Sequence, residues 1–153
     1  MALQLALAAA AILVALSGVI ALAHVFRWPA GHGPSAMPAV RAQRDVRRYG
    51  VYLGIIEAGA LIALLVVLFK ASPGSTEMWL AGGAALCVAA MIGVWAAWLR
   101  PLNTTIAAWS TEALPADWAQ HHSGWSKWHR LRVILAIIAM ALVLMGLFAR
   151  PAI

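Results

Sequence analysis

Charge and cysteine are scarce in this sequence. Five acidic and eleven basic residues are spread over 153 positions, 10% of the chain, where a soluble domain carries about a quarter. With 64% apolar residues there is too much apolar surface to hide in a soluble core of this size, so a soluble globule is excluded. The single cysteine, Cys87, can form no internal disulfide and no thiolate metal cluster; within an apolar run it reads as a packed, inert thiol. No Lys or Arg precedes the first apolar run, so the basic head of a secretory leader is missing, although Ala21-Leu22-Ala23 has the small residues of a cleavage site. That run also exceeds the roughly 7 to 15 residues of a leader core, and it reads as a retained membrane helix. Neither an internal repeat nor a low-complexity tail is evident.

What the sequence does contain is four long runs almost free of charge, at 2–26, 49–69, 79–98 and 133–148. Each approaches the roughly 20 residues that carry a helix across about 30 Å of hydrocarbon. The expected fold is all-α: one membrane-embedded four-helix bundle over 1–153, with an interfacial amphipathic helix before the last span. Connectors of about 22, 9 and 34 residues are too short for a second domain. Arg27, Arg41, Arg44, Arg47 and Arg48 lie in the first connector, and Arg100, Lys127, Arg130 and Arg132 in the third; the second connector and the termini hold only Lys70 and Arg150. By the positive-inside rule the first and third connectors face the cytoplasm and both chain ends lie outside, as in a multi-pass protein of the cell (inner) membrane. Topology therefore accounts for the net charge of +6, and lipid rather than nucleic acid is the expected partner.

Polar groups inside the runs are the informative ones, because hydrocarbon offers them no water. Glu57 stands about 12 Å into the second run, at 1.5 Å per residue, where a carboxylate must take a proton or find a partner. Gly50, Gly54 and Ala58, spaced by four, suggest that this face of the helix looks into the bundle, with Glu57 close to it. The third run is rich in Gly and Ala nearly all round, which suggests central packing. The charge-derived topology puts all five histidines, His24, His32, His121, His122 and His129, at one membrane face.

Before the last run stands DWAQHHSGWSKWHRLR, residues 117–132, with three of the eight tryptophans. Pro115 and Asp117 suit a helix start. Trp118, His122, Trp125, His129 and Arg132 follow at steps of 4, 3, 4 and 3, which puts them on one stripe. That helix either lies along the interface or runs directly into the fourth span. Tryptophan at headgroup level is ordinary anchoring, and His121, Lys127, Trp128 and Arg130 read as anchors facing elsewhere. Upstream, Arg100-Pro101-Leu102-Asn103 reads as the stop of the third helix, with Asn103 either capping the turn or binding a ligand carbonyl or hydroxyl at the mouth of the bundle.

The order of "RPLN" at the end of a span, "IAAW", "DW" after a proline, and then "WSKWHRLR" leading into a last span resembles the anthrone oxygenase-like membrane family. The matching residues are Pro101 and Asn103, then Trp125, His129 and Arg132. The likeness is strongest over 98–147 and rests on span layout in the first half. It implies an enzyme that oxidises an electron-rich, weakly acidic aromatic compound with O2 and without a cofactor. In that scheme His129 is the base and Arg132 the stabiliser of the developing anion. Glu57 would hold a histidine or relay its proton. Trp118 and Trp125 would form stacking walls, with His122 beside them on the stripe as a further substrate contact, and Asn103 would orient the substrate oxygen.

Two other readings stay open on the residues themselves. One is a His-ligated haem or a copper or zinc site using His24, His129 and His122, although no HExxH motif is present. The other is a non-catalytic subunit or assembly factor, in a homo-oligomer or membrane complex, whose polar residues only lock helices together. Four spans leave little room for a transporter's alternating access.

Overall fold

A computed structural model describes residues 2–27, 36–109 and 115–148, without the side chains of 24, 26, 27, 36–49 and 51. Helix α1 runs Ala2–Arg27, α2 Ala36–Lys70, α3 Thr76–Val94, α4 Arg100–Ala107 and α5 Trp118–Phe148, with a π-helical turn at Trp95–Leu99 joining α3 to α4. Among the described residues there is no strand. Four helical stretches are long and apolar enough to cross a membrane: Ala2–Ala23, Tyr52–Lys70, Thr76–Ala107 and Trp118–Phe148.

The helices overrun the apolar runs at both long connectors. Hydropathy marks only the part of a helix that meets lipid, whereas α2 has 35 residues and a length of about 52 Å. The apolar stretch within it is Tyr52–Lys70, and the arginines of the helix all precede that stretch. In the same way 118–132 runs directly into the fourth span, so the amphipathic segment is the first half of α5 and not a helix lying apart.

The spanning helices form a ring. α1 packs on α2 and α5, and α3 packs on the same two from the opposite corner. Helix α3 is therefore no more central than the others: Trp79 and Leu86 are exposed, as are Ala89, Gly93, Ala96 and Ala97. Its small residues permit close approach on one side only, where a Cβ on Gly83 would stand 3.1 Å from Leu142 Cδ1. The small face of α2 also differs from expectation. Nothing lies within 4 Å of where a Cβ would sit on Gly50 or Gly54, and Ala58 is exposed. Small residues allow a neighbour but do not supply one; the stripe that α2 turns inward is Leu53, Glu57, Ala60, Leu64 and Val67.

The turn between α2 and α3 follows from its residues. Ser75 N–H donates to Ser72 O at 3.0 Å across Pro73-Gly74, and Gly74 takes φ +78°, a region closed to most side chains. Ser75 then caps α3, its hydroxyl accepting from Met78 N–H at 3.2 Å.

At the other end Pro101 does not stop the third span. Arg100 N–H reaches back to Trp95 O, and this wide turn absorbs the donor that proline lacks and the bulk of its ring. The helix continues to Ala107, so Asn103 lies within it and is not a cap.

Two apolar cores stack along the bundle axis. One is aliphatic, with Leu7, Val14, Leu64, Val67, Val88 and Val143 among its members. The other is aromatic, built on Val94, Leu99, Ile106, Trp109 and Trp125 with Trp95, Trp118 and Trp128 packed against it. Outside the ring, Ile55, Ile62, Phe69, Ile137 and Met145 are exposed, the surface expected of a protein whose solvent is lipid.

Candidate functional site

Between the two cores lies a polar layer. Along α1 it follows Val14, along α2 it precedes Ala60, and along α5 it falls between Trp125 and Ala136. Its members are Ser17, Glu57, His129 and Arg132, none more than 3% exposed.

The Arg132 guanidinium forms an ion pair with Glu57 through Nη2 and Oε1. Ser17 Oγ donates to the same Oε1 at 2.9 Å. Three helices that are distant in sequence thus meet on one carboxylate oxygen, which gives Glu57 the partners its depth requires. Among the described residues, Nε and Nη1 of Arg132 have no hydrogen-bond partner, so a fully buried guanidinium keeps donor capacity in reserve.

One turn before Arg132 on the same helix face, the buried His129 ring packs against Trp125, with centroids 4.1 Å apart. Trp125 Nε1 donates to Asn103 Oδ1 at 2.9 Å, linking α5 to the helix beyond the π turn. The "RPLN" segment therefore reaches the polar layer through a tryptophan that is itself buried.

The five-residue stripe of α5 is present as one face, but its ends differ. Trp125, His129 and Arg132 are buried, whereas Trp118 and His122 are partly exposed, their rings 6.2 Å apart. His122 lines a hollow of about 440 Å³ together with Lys127 and Arg130. The structure brings Glu57 and Arg132 into contact and Asn103 and Trp125 into contact, and it keeps Trp118 and His122 nearer the surface.

Among the described residues, no three His, Cys, Asp or Glu side chains gather in a way that could hold a metal. His122 and His129 stand two turns apart, about 10 Å along the axis, with Trp125 between them. The His24 side chain and all of His32 lie outside the described residues.

Ser17 escaped sequence reasoning. Its signal was there: it is the only polar side chain between Gln4 and His24 in the first run.

Residues 44–142 match the family model described as anthrone oxygenase, a span that takes in Glu57, Asn103, Trp125, His129 and Arg132. No curated protein and no solved structure matches the chain.

Proposed function

The chain belongs to the anthrone oxygenase family, and from that premise we propose that it oxidises an electron-rich, weakly acidic aromatic compound with O2 by base-assisted chemistry that needs no cofactor. A base removes a proton from the substrate, and the resulting anion passes one electron to O2. The substrate radical and superoxide join at a ring carbon that still bears a hydrogen, the base returns its proton to the peroxide, and the hydroperoxide loses water to leave a carbonyl. One oxygen atom ends in the product and one in water, with the substrate itself as reductant.

Arg132 carries this reading. Holding a buried guanidinium with Nε and Nη1 unused costs about 1–3 kcal/mol per donor, an expense that an oxyanion bound there would offset. Glu57 and Ser17 orient that guanidinium, His129 is the base one turn away, and Trp125 with Asn103 fixes the wall against which His129 packs. The charge layout favours an inner-membrane orientation with the site end of the bundle toward the cytoplasm.

The test is oxygen uptake by purified protein given an anthrone or a polycyclic phenol. His129→Gln and Arg132→Lys should each lower the rate by about 100-fold or more while the helical content stays that of the parent. Uptake at the uncatalysed rate by the parent protein would sink the proposal.

A second reading rests on the Ser17–Glu57–Arg132 chain itself, a three-helix tie suited to a non-catalytic subunit. It predicts that the same substitutions lower the folded yield and change nothing else.

A further inference from the structure

A groove separate from the buried layer lies between α4 and the first turns of α5. It is open, with a volume of about 590 Å³, inside the range of roughly 300–1,000 Å³ typical of small-molecule clefts. One wall is aromatic: Trp98 and Trp128 stack with centroids 4.3 Å apart and planes 20° from parallel. Pro101 and Leu102 from α4 and Gly124 from α5 add apolar lining, and Thr105 and Gln120 add polar groups.

At the α5 end of the groove stand Asp117 and His121. His121 Nδ1 is 3.2 Å from Asp117 O and 3.5 Å from Asp117 Oδ2. In the neutral imidazole, two acceptors around one ring nitrogen favour the tautomer protonated at Nδ1, which leaves the lone pair on Nε2. The ring is further held edge-on to Trp109, at 5.8 Å and 89°. In that tautomer the histidine presents an acceptor, with a carboxylate behind it to stabilise positive charge. It would repel an anion's oxygen and attract an acidic hydroxyl.

We propose that this groove binds a planar phenolic compound, with the ring against the Trp98–Trp128 wall and the hydroxyl donating to His121 Nε2. The substrate class rests on the oxygenase reading; the groove and the fixed histidine do not. Gly124 and Leu102 border the groove, and each is followed directly in sequence by a member of the Trp125–Asn103 link, so the ligand would sit beside the wall that backs His129.

The test uses the full chain in lipid nanodiscs, titrated without oxygen by 2-hydroxyanthraquinone, a flat phenol already oxidised, with tryptophan quenching as the readout and empty nanodiscs as the blank. Saturable quenching is expected. His121→Ala should weaken binding about tenfold, the value of one hydrogen bond of about 1.4 kcal/mol, and should not affect binding of anthraquinone, which lacks the hydroxyl. Gly124→Leu and Thr105→Phe, which fill the groove from opposite walls, should abolish binding of both; either suffices if the other fails to fold. Quenching that never saturates, or binding indifferent to His121 and to groove filling, overturns the proposal. If the probe binds with these sensitivities while no substrate is oxidised, the groove stands and the oxygenase reading falls. If oxygen is consumed while the groove variants bind like the parent, the groove alone falls.

Discussion

Removing the Glu57 carboxylate would leave the Arg132 guanidinium charged and buried with no counterion. Glu57→Ala should therefore cost about 3–5 kcal/mol, whereas Ser17→Ala, which leaves the ion pair whole, should cost about 1 kcal/mol. Replacing both charges, as in Glu57→Leu with Arg132→Met, should recover most of that loss, because an apolar pair needs no desolvation. Denaturation midpoints in mixed detergent would measure all three; a single Glu57 variant as stable as the parent would show that the pair contributes little. At this scale the sequence was partly legible. Glu57 stood out because a carboxylate in an apolar run has no bland explanation, and its partner lay on the stripe already singled out in α5. The direction in which Glu57 points was not legible from Gly50, Gly54 and Ala58, since small residues mark where a helix could approach and not where one does. Ser17 was not legible because a lone serine in a span is cheap to bury, and only the fold shows that its hydroxyl reaches Glu57 from α1.

The elements depend on a few backbone devices. Gly74 at φ +78° closes the α2–α3 turn, and Gly74→Ala should destabilise by about 1–2 kcal/mol, the cost of a left-handed residue with a Cβ, read as a shift in the same midpoint. Pro101 shows why a helix stop is hard to read from sequence. Proline forbids an ordinary turn, but it does not say whether the chain ends the helix or widens it by one residue, and here the Trp95–Leu99 turn does the second. The stripe of α5 was legible because regular spacing needs only regular helix, whereas its continuity into the span depended on whether Gly124 would break the helix. It does not; a Cβ there would meet Leu102 Cδ1 only at 3.9 Å, so the glycine sits in ordinary packing.

For the whole molecule, four stretches are long and apolar enough to cross a membrane, and four crossings would put the α2–α3 turn on one side and the α4–α5 connector on the other. In a variant with Cys87→Ala, single cysteines at Ser72 and at Asp117 should label from opposite faces of sealed vesicles with an impermeant maleimide. Labelling of both from one face would overturn the four-span arrangement. The number of spans was legible because hydropathy needs no tertiary information; the ring order of the helices was not, because α3 offered small residues on every side and only packing chose between them.

Seven tryptophans lie among the described residues, and six of them, Trp95, Trp98, Trp109, Trp118, Trp125 and Trp128, stand at the site end, with Trp79 alone at the other. Among these seven the indole signal is therefore lopsided. Indole emission reports on the aromatic core and the groove and is almost blind to the aliphatic core, whereas circular dichroism weighs every helix alike. Following both signals through one denaturation separates loosening of the end that holds the polar layer from melting of the bundle that supports it, without a label being introduced.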